Sequence, residues 1–212
     1  MGTDIHVYVE FYEKENIPKS KYWTTSNIAS CFCKDLNFGR NYDLFSLISD
    51  VGRGAHSPLY RPTGFKNISP RLSYEVESEF YVKIIPDNQA EFLKHTMSSG
   101  KIITKSHADK LVENKSLIMV DNDRGRLFGT FGETILNLEQ IMEIRKEHLI
   151  TTLKYDPRQN LIDFIESKNS RELMNYNFNE DEHTYLFSTI KMMQALELNS
   201  SFLTRFVCWF DN

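Results

Sequence analysis

An α+β fold is predicted for this chain of 212 residues on three observations. The N-terminal stretch alternates between apolar and polar residues, the C-terminal stretch is a nearly unbroken apolar and aromatic run, and residues from about 134 to 200 carry helical periodicity. Together these predict a central antiparallel or mixed sheet that pairs the N- and C-terminal strands, with helices packed on one face. The expected organisation is a single domain, 1–212, with a mainly helical addition at about 134–200 inserted before the last strand.

The first strand is Asp4-Ile5-His6-Val7-Tyr8-Val9-Glu10-Phe11. A side-chain period of two turns Ile5, Val7, Val9 and Phe11 into a core and sets Asp4, His6, Tyr8 and Glu10 on the opposite face. Asp4 and His6 then lie roughly 7 Å apart on one side, close enough to share a metal, a water or a phosphate. A polar, proline-containing turn follows, and Lys21–Thr24 is expected as a short returning strand. Leu44, Leu47, Ile48 and Val51 predict a helix over 42–51, capped by Asn41 and ended by Gly52.

Residues 52–71 hold three glycines and two prolines between 52 and 65, which forbids long regular structure and favours a functional loop. Arg40, Arg53, Arg61, Lys66 and Arg71 fall in or beside it. Guanidinium groups so gathered suit phosphate or carboxylate, or they hold loop carbonyls on a solvated surface.

Further on, residues 79–85 predict a strand, 86–97 a helix and 101–105 a short strand. Ser106 is the expected cap of a helical turn that places His107 first, where it faces an anion. Strands over 116–120 and 126–131 flank Asp121-Asn122-Asp123-Arg124-Gly125. That turn lacks the glycine spacing of an EF-hand, so a hairpin is favoured over a calcium loop. Leu138, Ile141, Met142, Leu149 and Leu153 predict a helix over 134–155, broken at Asp156-Pro157 and resumed to Ser167. A last helix is expected over 180–198. His148 and His183 are assigned surface or packing roles. The chain closes on Phe202 to Asn212, expected to lie beside strand one so that Asp211 and Asn212 arrive near Asp4 and His6.

The formal charge of −4 argues against general nucleic-acid binding. Three cysteines make no disulfide framework and imply a reducing compartment. No stretch is long and apolar enough to span a membrane, and no signal-peptide pattern opens the chain, so a cytoplasmic location without membrane contact is expected.

Four segments, Met1 to His6, Arg40-Asn41-Tyr42-Asp43-Leu44-Phe45, Arg53 through Pro70, and Phe210-Asp211-Asn212, carry a resemblance. In these the chain resembles a family of small uncharacterised bacteriophage proteins with a Met-Gly-x-Asp-Ile-His start and a Phe-Asp-Asn terminus. The resemblance covers both ends and the first third; it implies a phage origin, hence the cytoplasm of a host cell, and carries over no activity.

Two functions follow as expectations. The first is a metal-assisted hydrolase of a nucleotide or phosphate ester. Asp4, His6 and His107 are its catalytic candidates, Asp4, His6 and Asp211 its ligands for a divalent zinc, manganese or magnesium ion, and Arg40, Tyr42, Arg53 and Arg61 its substrate-binding residues. In the absence of metal, His6 oriented by Asp4 serves as general base. The second is a non-catalytic counter-defence protein that sequesters a nucleotide immune signal or binds a host defence protein through its C-terminal helices. A second copy of the chain is also a candidate partner.

Overall fold

In a computed structural model of the protein, the residues described are 4–13, 30–31, 36, 38, 40–51, 56–66, 71–91, 102–154, 158–179, 185–198 and 202–211. They form a mixed α+β structure with two four-stranded sheets.

The first sheet has the order β2-β1-β8-β7, with β1 Asp4–Glu13, β2 Ser30–Cys31, β7 Phe131–Asn137 and β8 Phe202–Asp211. Every neighbouring pair is antiparallel. The terminal strands are therefore paired at its centre, in register from Asp4 opposite Asp211 to Glu13 opposite Phe202. Because opposed residues share a face, this register sorts the side chains of both strands at once. Ile5, Val7 and Val9 join Phe210, Cys208 and Phe206 in one buried layer. Asp4, His6, Tyr8 and Glu10 join Asp211, Trp209, Val207 and Arg205 on the other face.

The first layer packs against α1 (Tyr42–Ile48), α4 (Leu138–Leu153) and α7 (Leu186–Leu198), through residues such as Leu44, Phe45, Ile141, Met142, Ile190 and Met193. The second face is covered as well. Val76 and Phe80 of α2 (Tyr74–Phe80), with Phe65, Leu72 and Tyr81, close over Tyr8, Val207 and Trp209. The polar half of strand one is thus largely enclosed: Tyr8 is 1% exposed and Glu10 0%. Two short helices, α5 (Gln159–Ser167) and α6 (Ser170–Leu173), make a satellite core with the end of α4.

The second sheet, β4-β3-β6-β5, is built by the middle third of the chain from β3 Val82–Ile85, β4 Ile102–Thr104, β5 Leu117–Met119 and β6 Arg124–Leu127. Its β3–β4 pair is parallel and the others antiparallel. Helix α3 (Lys105–Glu113) packs on it through Ala108 against Val82, Ile84 and Leu117. The expected sheet that pairs the two terminal strands is the first of these; the middle strands form the second, in which β3 pairs with β4 and β6.

Several boundaries differ from the sequence expectation. Helix α1 stops at Ile48, where Ser49 turns to extended backbone and donates its hydroxyl to the Gly132 carbonyl. The strand expected from residue 79 begins at 82, since Ser73 caps a helix over 74–80 through the Val76 N–H. The helix expected from 134 begins at 138: Thr134–Leu136 are paired with β8, and an Asn137–Gln140 capping box starts α4. Helix α3 starts at Lys105 rather than after Ser106. The Asp121–Gly125 turn is a hairpin, with Asp121 accepting from the Asp123 N–H and from Arg124. The expected strand Lys21–Thr24 and the Asp156-Pro157 break lie outside the described residues, as does the second half of the helix expected over 86–97, whose first half begins with a 3-10 turn at Asp87–Gln89.

Residues 56–66 form a strap across the outer edge of β7. Leu59 N–H donates to the Leu47 carbonyl at 3.0 Å, Gly64 N–H to Glu133 at 2.8 Å, and Ile135 N–H to the Thr63 hydroxyl at 3.1 Å. Gly64 has a φ of +68°, a conformation open to glycine at little cost. The strap ends in Phe65, edge-on to Phe80 and Trp209.

Candidate functional site

Strand pairing brings the expected terminal residues together. His6 Nε2 lies 3.0 Å from Asp211 Oδ2, with both side chains partly exposed. Asp4, directly opposite Asp211 in the register, accepts from Arg40 Nε at 2.9 Å. That bond holds the Arg40 guanidinium above its ordinary range. The His6–Asp211 contact and the Arg40–Asp4 ion pair thus both stand where β1 begins and β8 ends.

The imidazole is fixed from below. Trp209, its cross-strand partner, stacks under the ring with centroids 5.1 Å apart and planes 13° from parallel, and Tyr8 stacks next at 5.5 Å. Phe80 meets Trp209 edge-on at 5.4 Å. A stack so buttressed limits the ring to one orientation and lets Asp211 select its tautomer.

His6, Asp211 and Trp209 form one wall of a small cleft of about 70 Å³. Glu79 and Phe80 from α2, with Leu127 at the end of β6 and Thr130 in the β6–β7 connection, form the other. This is room enough for water. On the far side of Asp4 lies an open groove of about 450 Å³ lined by Phe38, Arg40, Asn41, Tyr42 and Asp43. Arg40 of the groove bonds Asp4, which stands opposite the cleft residue Asp211 in the antiparallel ladder, their Cα atoms about 5 Å apart.

The other expected residues fall out as follows. Tyr42 is half-buried, edge-on to Phe45, and lines the groove beside Arg40. Arg61 is exposed on the strap and lines neither the cleft nor the groove. Arg53 and Asn212 lie outside the described residues. His107 is the third residue of α3, exposed, on the helix that covers the second sheet, and takes no part in lining the cleft. The anion-facing position it was expected to serve is met within the chain: Asp87 accepts from the Ser106 N–H at 3.1 Å, and this hydrogen bonding from Ser106 holds the Asp87 carboxyl below its usual range.

The expected metal ligands are Asp4, His6 and Asp211. Among the described residues no three carboxylate, imidazole or thiol groups are placed to hold a metal ion. Asp4 faces Arg40, and His6 and Asp211 face each other.

Sequence reasoning passed over Glu79, read as part of a strand, and Trp209, read only as core. It also passed over the pair beneath the site, Glu10 and Arg205. Their side chains are 0% and 5% exposed, with Arg205 Nε 2.6 Å from Glu10 Oε2. Glu10 further accepts from the Ser73 N–H at 2.6 Å, and Arg205 donates to the Arg71 carbonyl at 2.9 Å. This network anchors the start of α2 and so sets the wall that carries Glu79. An acidic and a basic residue at matching distances from the two strand ends were the available signal.

Among the described residues no helix is long and apolar enough to cross a membrane. Comparison of the chain with protein-family models, with curated proteins and with solved structures finds no match in any of the three.

Proposed function

We propose that the chain acts on a nucleotide or another phosphate ester at the end of the β1–β8 pair, and that it hydrolyses it. The observation that carries this reading is the His6–Asp211 contact of 3.0 Å, held over Trp209 beside an arginine-lined groove. The body of the ligand lies in the groove, its apolar or aromatic part against Tyr42 and its phosphate on Arg40. Asp4 occupies Arg40 Nε, and the planar guanidinium presents further donors to an anion.

A water in the adjacent cleft is the nucleophile. With Nε2 bound to Asp211, Nδ1 is the nitrogen that takes the water proton, and Asp211 balances the imidazolium that results. The water oxygen bonds to phosphorus as the ester oxygen departs, and Arg40 offsets the growing negative charge. Phage origin, as the resemblance implies, would make the substrate a nucleotide signal of the host.

A second reading is sequestration without turnover, favoured by the openness of the groove and by the absence, among the described cleft residues, of a second histidine beside His6. Contact with a host defence protein is a third outcome of the same experiment. The purified protein is incubated with a panel of nucleotides and cyclic nucleotides, heated, and the released material analysed by chromatography and ³¹P NMR. Altered nucleotide supports hydrolysis, unchanged but enriched nucleotide supports sequestration, and none released points to a protein partner. Under hydrolysis, His6→Ala and Asp211→Ala abolish turnover; full activity in both sinks the proposal. Loss of activity in chelator, restored by magnesium, manganese or zinc, would assign a divalent ion to the same carboxylates.

A further inference from the structure

Beneath the groove lies a contact that the proposed reaction does not use. Asn41 Oδ1 accepts the Leu44 N–H at 3.0 Å and so caps α1. The other end of the same amide, Nδ2, meets His148 Nε2 at 3.1 Å. The cap decides the orientation of the amide: reversing it would put two N–H groups against each other at Leu44. Nδ2 therefore brings hydrogens to His148, and Nε2 must offer a lone pair, so the ring carries its proton on Nδ1. His148 is 4% exposed, on α4, and its own carbonyl accepts from the Thr151 hydroxyl. Arg40 and Tyr42 flank Asn41 in the chain, and all three line the groove.

We propose that His148 is a positioning residue: its unprotonated Nε2 holds Asn41 and, through Asn41, the Arg40–Tyr42 wall of the groove. The functional half of this inference rests on the phosphate-directed reading above; the tautomer does not. Without an acceptor on α4, the half-buried Asn41 amide loses the partner that fixes its orientation, and any rotation toward another acceptor gives up the cap of α1. The backbone that aims Arg40 at Asp4 and at the groove then loses its anchor.

The test uses the full chain. Long-range ¹⁵N–¹H spectra of the labelled protein are expected to show His148 Nε2 as an unprotonated nitrogen and Nδ1 as the protonated one; the opposite pattern overturns the proposal. Asn41→Asp keeps the cap acceptor and removes the donor, so His148 Nε2 is expected to become protonated, and an Nε2 that stays unprotonated overturns it too. In calorimetric titrations with a non-hydrolysable ATP analogue, His148→Leu weakens binding about tenfold, the size of one lost hydrogen bond. His148→Gln, which restores an acceptor, recovers most of that loss. Wild-type affinity in His148→Leu overturns the positioning role. If the wild type does not bind the analogue, that role falls with the phosphate-directed reading, whereas the wrong tautomer beside intact binding overturns His148 alone.

Discussion

Removing the Glu10 carboxylate tests how the covered face of the sheet is held. In Glu10→Ala the guanidinium of Arg205, 5% exposed, keeps its charge and loses its ionic partner. The Ser73 N–H, 2.6 Å from Glu10 in the native protein, loses its acceptor at the start of α2. Breaking one side of a buried pair costs about 3–5 kcal/mol, because a charge is left without compensation in a poorly solvated place. For a chain of this size that lowers Tm by about 6–20 °C. Urea unfolding followed by far-ultraviolet circular dichroism and by tryptophan fluorescence measures it. Replacing both partners, Glu10→Leu with Arg205→Met, removes the isolated charge and is expected to cost less than Glu10→Ala alone. A loss below about 1 kcal/mol in Glu10→Ala, or a double variant equal to the sum of the singles, refutes the reasoning and means that water reaches the pair.

Other outcomes are equally accessible. Gly132 has a φ of +67°, and a Cβ there would meet the Ser49 hydroxyl at 2.8 Å and Phe210 at 2.9 Å; Gly132→Ala is expected to destabilise by about 1–3 kcal/mol in urea titration. Asp87 and Asp121 both sit below their ordinary pKa of 3.8, Asp87 through hydrogen bonds from Ser106, and Asp121 because bonds from Arg124 and Asp123 outweigh its burial. Their stabilisation is complete above that value and is lost as pH falls through the lowered folded pKa, so amide protection factors (exchange divided by its intrinsic rate at each pH) at the start of α3 and in the β5–β6 hairpin should fall below about pH 4 while remaining flat from 5 to 8. Burial pushes the Cys208 thiol far up, which keeps it protonated and shielded. Iodoacetamide should leave its peptide unlabelled in native protein, as read by mass spectrometry, and label it once urea unfolds the chain.

The parts of the fold that were legible in the sequence are those written in side-chain period. The alternation in strand one and the aromatic run at the end are enough to predict two central strands, and pairing them antiparallel brings Asp211 to His6. Periodicity also located the helices of the last third. It did not separate Thr134–Leu136 from α4, because an apolar run that ends a strand looks like one that opens a helix until the Asn137 cap is noticed. The second sheet was hidden for a related reason: strands of three and four residues carry too few alternations to show which partners they take. In the site, Arg40 was legible as one of the arginines in or beside the 52–71 loop. Glu79, Trp209 and the partnership of Asn41 with His148 were not, since each depends on which element packs over which. Arg145 makes the same point: 1% exposed on α4, it donates to the carbonyls of Leu173 and Tyr176, and nothing in its neighbours along the chain announces a buried arginine.

The pairing of β1 with β8 bears on how the protein is made. The strand at the heart of the first sheet is the last of its four to leave the ribosome, and its contacts with β1 join residues 189 to 207 positions apart, from Glu13–Phe202 to Asp4–Asp211. At about 5–20 residues per second, strand one waits roughly 10–40 s for its partner. Until then Ile5, Val7 and Val9 have an unpaired edge and an uncovered face. Contacts of such long range also make folding slow. The nascent chain should therefore depend on chaperones more than its final stability suggests, and changes in β8 should reduce yield before they reduce activity.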